Sequence, residues 1–245
     1  MRLFFATLLA FSAIAVHAES ANDPVKISMS WDVSIDANGH VADLKATSNK
    51  NTQDAPQIRA QVEDAVRGWQ FSAGKASVAT THLTVDLSLI PQGTDGLGVR
   101  VDHAYTGGSI VQPMSPPHYP RASINARHEG KVVLRLDYDA AGNSTSAGID
   151  ASSTNIDQEL VNVSIDTART WKFQPETVDG RGVAGTIYFP FCFTLKRAAK
   201  GTQPPEKYHG CKFTTTSKYG ANGEEHVFGL NPSVKLTTDV EGKIL

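Results

Sequence analysis

The chain has 245 residues, with 23 Lys and Arg against 25 Asp and Glu and a formal net charge of −2. Its basic residues are scattered and carry no interleaved aromatics, so no stripe or groove for nucleic acid is encoded. An ordinary balance of apolar and charged residues describes a globular chain with room for more than one small domain.

Residues 1–18 carry Arg2, an apolar run over 3–16, and Val16-His17-Ala18 ahead of Glu19, which is the layout of a cleavable secretory signal peptide. The run is shorter than the about 20 apolar residues that a spanning helix needs. Export is therefore expected, with no stable membrane span after cleavage. In an oxidising compartment Cys192 and Cys211, the two cysteines of the chain, make one disulfide an expectation, with two free thiols as the alternative.

From Val25 to Ile35 every odd residue is apolar and every even one polar, which predicts a strand with one buried face. Asp36-Ala37-Asn38-Gly39 follows as a hairpin turn, and a second strand through Val41 and Leu44 should pair back. Asp54 and Pro56 open a predicted helix, with Ile58, Val62, Ala65, Val66 and Trp69 at helical spacing. Alternating Leu83, Val85, Leu87 and Leu89 predict a further strand.

The same order recurs about a hundred residues later, a domain-sized spacing. Val132, Leu134, Leu136 and Tyr138 alternate, and Asp139-Ala140-Ala141-Gly142 turns the chain. A helix capped by Asn155 or Asp157 carries Ile156, Leu160, Val163, Ala168 and Trp171. Ile187, Phe189, Phe191, Phe193 and Leu195 form the buried face of a last strand, within which Pro190 marks an edge or a bulge. Cys192 has the opposite parity and should point away from the helix.

The expectation is an α+β chain of two ββαβ modules, each a small antiparallel sheet with one helix on one face. The boundaries are 24–90 and 115–196, with a Gly- and Pro-rich linker at 91–114 and an extension of unreadable role at 197–245. Each predicted helix ends in Arg-x-Trp-x-Phe, and Trp69, Phe71, Trp171 and Phe173 read as plugs between helix and sheet.

No HExxH, CxxC or Gly-x-Ser-x-Gly stretch is present, and His103, His118, His128 and His209 share no ligand spacing on one element. Asp36 and Asp139 read as turn residues. Catalytic residues, metal and cofactor are therefore not expected, and neither is an enzyme.

Pro117-His118-Tyr119-Pro120, Glu129-Gly130-Lys131-Val132-Val133, the turn at Asp139 and Arg169-Thr170-Trp171-Lys172-Phe173-Gln174-Pro175 resemble the TonB C-terminal domain family. Asp179-Gly180-Arg181-Gly182-Val183 and Phe189-Pro190-Phe191-Cys192-Phe193 fit it too, and the first module resembles it more loosely. The resemblance, in which Tyr119 belongs to the structural motif, implies a three-stranded antiparallel sheet with one helix. It implies a periplasmic location in a Gram-negative bacterium and a protein or peptide partner, TonB-dependent outer-membrane receptors among the candidates, bound by strand addition. The partner-binding edge then maps to Thr186, Ile187, Tyr188, Phe189, Phe191 and Phe193. Two alternatives stand beside it: an energy transducer held in the inner membrane by an uncleaved leader, and an envelope structural protein whose tail covers the sheet edge.

Overall fold

The computed structural model describes residues 24–47, 56–92, 96–111, 115–151, 153, 155, 157–195 and 228–245. Residues 1–18, Asp54, Ile156, His209 and Cys211 lie outside them, and with them the leader, one predicted cap and one half of the expected disulfide.

The first sheet is built on β1 (Val25–Asp36), whose apolar residues Met29, Trp31, Val33 and Ile35 are buried on one face as the alternation requires. Strand β2 (Val41–Ala46) pairs back on it, and helix α1 (Pro56–Arg67) contributes Val62 and Val66 to the same core. After β3 (Phe71–Ser72) comes β4 (Val78–Gln92), antiparallel to β1 along the full length of β1.

Within the expected linker at 91–114, residues 96–107 and 109–110 are strand. These are β5 (Gly96–Gly107), paired with β4 from His82 to Gln92, and β6 (Ser109–Ile110). The reason lies in Val99 and Val101, two alternate residues that are buried in the first core. Glycines around them dilute a periodic signal that is only a few positions long.

Helix α2 (Arg121–Ala126) then leads to the second sheet, where β7 (Gly130–Tyr138) pairs with β8 (Ser144–Ile149). Helix α3 (Gln158–Ala168) covers one face, burying Leu160, Val161 and Ala168. Asp157 stands at its N-cap but makes no side-chain cap; its Oδ2 instead accepts the Ser123 hydroxyl at 2.7 Å. Strand β9 (Phe173–Gln174) pairs with β6, and β10 (Thr177–Val178) turns into β11 (Arg181–Gly182). Strand β12 (Gly185–Phe193) lies antiparallel to β7 along all of its residues. The architecture is α+β with antiparallel strands.

The two sheets are tied together in three places. Strand β5 ends at Gly107 opposite His82, and β10 takes over the next places on β4, opposite Ala79 and Thr80. Val133, on the face of β7 away from α3, is fully buried against Tyr105 and Tyr188. The third tie is the C-terminal stretch: β13 (Phe228–Leu230) pairs with β12, and β14 (Lys235–Leu236) pairs with β3. Val234 and Val240 are buried in the first core, and Leu245 N–H donates to the Val99 carbonyl at 2.9 Å.

Candidate functional site

The turn before each sheet's second strand is built the same way twice. Asp36 Oδ1 accepts the N–H groups of Asn38 and His40 at 2.8 and 2.9 Å; Asp139 Oδ1 accepts those of Ala141 and Asn143 at 2.9 and 2.8 Å. For Asp139 the Asn143 side-chain amide, which donates to Oδ2 at 3.0 Å, adds the largest pull; with the backbone bonds it favours the ionised form, so both carboxyls sit below their ordinary value. Gly39 and Gly142 take φ of +82° and +79°, and each accepts at its carbonyl the N–H of the motif phenylalanine, Phe71 or Phe173, at 2.9 Å. Trp69, Phe71, Trp171 and Phe173 are all buried.

In the second sheet these side chains support β12 from beneath. Trp171 meets Phe189 edge-on with ring centroids 4.9 Å apart and Phe191 at 5.5 Å, while its indole N–H donates to the Ser115 carbonyl at 3.2 Å. Phe173 stacks on Tyr138 at 5.0 Å. Tyr119 packs edge-on against Phe193 at 5.3 Å, and its hydroxyl donates to the His128 carbonyl. Aromatic pairs of this kind add about 0.5–1.5 kcal/mol each beyond their buried area. The strand is thereby held rigid on one face, which is what an edge needs if it is to present its backbone in a fixed register.

Polar groups fix the start of β12. Thr186 donates its hydroxyl to Asp137 at 2.6 Å, and Ser146 donates to the same carboxylate at 3.0 Å. Burial works against ionisation of Asp137, but these two bonds and the Arg135 guanidinium hold it below its ordinary value.

The predicted edge residues divide into two groups. Thr186, Ile187 and Tyr188 pair on their outer side with Leu230, Gly229 and Phe228. Phe189, Phe191 and Phe193 have no strand partner on that side among the described residues. Pro190 lies two residues past the covered stretch, where a missing N–H breaks no outer ladder among the described residues. Cys192 lies opposite Lys131 and is half-buried.

Sequence reading missed the group that organises this region. Glu176 is 5% exposed; its Oε1 accepts the Thr81 hydroxyl at 2.7 Å and Val234 N–H at 3.2 Å, and its Oε2 accepts Ser233 N–H at 2.5 Å. Thr106 donates its hydroxyl to the Val234 carbonyl at 2.6 Å. One buried carboxylate thus joins β4, the loop after β9 and the C-terminal stretch. Burial pushes its carboxyl above the ordinary value, against the pull of the three donors.

The histidines are scattered as well. His103 faces Glu241 at 3.4 Å and His128 faces Asp157 at 3.2 Å, while His118 lines a groove of about 590 Å³ between residues 115–120 and α3. No cluster of His, Cys, Asp and Glu suited to a metal ion occurs among the described residues. No described helix is long and apolar enough to cross a membrane.

A sheet with one aromatic-backed strand, ordered after a Tyr-Pro lead-in, matches at residues 115–195 the family described as Gram-negative bacterial TonB protein C-terminal. Residues 115–195 are similar to the TonB C-terminal domain. Protein TonB of Xanthomonas campestris pv. campestris is 43% identical over 82 residues, which cover 34% of this chain and 36% of that protein. Protein TonB of Vibrio cholerae serotype O1 is 31% identical over 88 residues, 36% and 35% of the two chains. The solution NMR structure of the Pseudomonas aeruginosa TonB CTD matches at 24% identity and a TM-score of 0.29, covering 38% of this chain and 90% of that one. The chain spans about a third of the length of the curated relatives it matches. Strands β1 to β6, β13 and β14 therefore lie outside the matched TonB C-terminal stretch, while β10 and β11, which extend the first sheet, lie within it.

Proposed function

We propose that this chain works in the periplasm, and that its TonB C-terminal domain binds an extended segment of an envelope protein by adding it as a strand to the outer edge of β12. The observation that carries the reading is the half-occupied edge: Phe189, Phe191 and Phe193 continue a strand whose first part already accepts β13 as a neighbour. Main-chain hydrogen bonds would supply the affinity and alternate side chains the selectivity. The aromatic support beneath the strand favours this role, since a rigid template loses little entropy on binding. No reacting group is needed for it.

The test uses synthetic peptides from the plug segments of TonB-dependent outer-membrane receptors, followed by amide NMR. Peptide-induced shifts should fall on residues 186–193, and the same peptide with N-methyl groups at alternate backbone positions should not bind. Equal binding of the methylated peptide, or shifts that avoid β12, would refute strand addition.

Because the relatives are TonB proteins, an energy transducer is the second reading, with residues 1–18 retained as an anchor. N-terminal sequencing separates the two, since a mature chain beginning at Glu19 has lost that segment. The pairing of β13 favours an envelope structural role as the third reading. In all three, Cys192 pairs with Cys211, which thiol alkylation with and without reductant would check.

A further inference from the structure

We infer that the polar face of the first sheet holds a binding site for a small zwitterion, an amino acid or short peptide, whose carboxylate pairs with Arg100 and whose ammonium group pairs with Asp86. The site lies outside the matched TonB C-terminal stretch and is independent of the strand-addition reading.

Strands β1 and β4 turn one parity toward the core and the other to the opposite face. There Lys26, Ser28, Ser30 and Asp32 of β1 stand beside Ser88, Asp86, Thr84 and His82 of β4. Along part of that face the polar groups close on one another, Ser30 on Thr84 at 3.0 Å and Asp32 on His82 at 3.0 Å. Toward Lys26 a cavity of about 300 Å³ opens instead, bounded by Lys26, Ser28, Asp86, Arg100, Asp102 and His103, with Gly242 of the C-terminal stretch among its walls. Ligand pockets run from about 300 to 1,000 Å³, so the occupant is small.

A bulge assembles the site. Asp86 and Leu87 of β4 stand opposite His103 and Val101 of β5, which leaves Asp102 as the extra residue. Strict alternation would put His103 on the apolar face; the bulge brings it opposite Asp86, beside Arg100 and Asp102. The Asp102 carboxylate accepts the Ser88 hydroxyl at Oδ2 and the Arg100 Nε–H, at 2.8 Å, at Oδ1. The guanidinium is thereby oriented through one nitrogen, and its terminal nitrogens have no partner among the described residues. Such a fork matches a carboxylate bidentately.

Asp86 supplies the opposite charge. It is 6% exposed in a strand flanked by β1 and β5, a burial that surrounding cations must offset. A carboxylate has about four lone-pair sites, so a ligand's ammonium group adds to the neighbours Asp86 already has. Arg100 stands diagonally from Asp86, and diagonal positions are about 7–8 Å apart. One molecule carrying both charged groups spans that distance. The mixture of signs selects a zwitterion: a simple anion meets Asp86, Asp102 and Glu241, which faces His103 at 3.4 Å, and a simple cation meets Lys26 and Arg100.

The test titrates the full chain with L-alanine, L-alanyl-L-alanine, N-acetyl-L-alanine, which lacks the ammonium group, and L-alaninamide, which lacks the carboxylate, all followed by amide NMR. Saturable shifts should centre on residues 86 and 100–103. Each one-ended probe should bind roughly 10-fold or more weakly than alanine, as the loss of a charge-assisted bond requires. Tighter binding of alanine than of the dipeptide makes the free amino acid the occupant, and the reverse order a short peptide. Arg100→Gln, at a side chain 39% exposed, should abolish the advantage of alanine over alaninamide. Shifts that do not saturate or avoid these residues, N-acetylalanine or alaninamide binding as tightly as alanine, or unchanged binding by Arg100→Gln would each overturn the proposal.

Discussion

Gly142 and Gly180 offer a matched pair for separating backbone strain from steric collision. Their φ values are +79° and +74°, so Gly→Ala asks the same conformation of an L-residue at both. That conformation costs about 1–2 kcal/mol, and the loss of unfolded-state freedom returns about 0.4–1 kcal/mol. A Cβ on Gly180 meets nothing within 4 Å, so Gly180→Ala should destabilise by only about 1 kcal/mol. A Cβ on Gly142 would stand 2.0 Å from the Phe173 carbonyl oxygen and 3.3 Å from Pro175 Cδ. The oxygen must retreat by more than about 1 Å to reach ordinary contact. Phe173 cannot retreat freely: its N–H is bonded to Gly142 at 2.9 Å and its ring is buried against Tyr138. Losing that bond costs about 1 kcal/mol and the repacking about 1–3 kcal/mol. Gly142→Ala should therefore cost about 3–5 kcal/mol in urea unfolding at unchanged m-value. The first sheet repeats the comparison: a Cβ on Gly39 would stand 2.0 Å from the Phe71 oxygen, and one on Gly74 would meet nothing within 4 Å. Two variants within about 1 kcal/mol of each other would mean that the turn is not clamped to the motif.

The buried polar and apolar ties give two further outcomes. Glu176 binds its proton more tightly folded than unfolded, so the folded state holds more protons just above the ordinary value of 4.5, and stability falls as pH rises through the folded pKa. Glu176→Gln, within about 1 kcal/mol of the unmodified chain when both are uncharged, should gain on it as pH rises, and urea unfolding in which the difference moves the other way would refute the buried-carboxylate account. Val234→Ala removes about two methyl equivalents from a fully buried site, and should cost about 2 kcal/mol in the same assay; a loss under about 0.5 kcal/mol would place the C-terminal stretch outside the first core.

Alternation was enough to place β1, β4, β7 and β12, because each buries one face over many residues, as Met29 to Ile35 do in β1. The edge on β12 was not legible from alternation, which sorts faces and not edges; it was mapped from the family resemblance, with Pro190 as the one local sign of an edge or bulge. What escaped were features without a period. Strand β5 was hidden by its glycines, although Val99 and Val101 are as buried as any residue in the core. Strand β13 is three residues long, too short to show a repeat, and Gly229 brings its backbone close against Gly107 of the other sheet. Glu176 stands in Gln174-Pro175-Glu176-Thr177, where nothing local distinguishes it from a surface carboxylate. Its burial arises only from the convergence of Thr81, Ser233 and Val234 around it.

The C-terminal stretch is held unequally along its length. Strand β13 meets β12 over a three-residue ladder, with roughly two or three main-chain bonds of about 1 kcal/mol net each, or about 2–3 kcal/mol in all. Beyond it, Val234 and Val240 alone bury side chains worth about 1.5–3 kcal/mol each, before the bonds to Glu176, Gln70, Val99 and Val101 are counted. An unpaired strand invites association with other chains, and even a partial cover over the edge of β12 lessens that hazard.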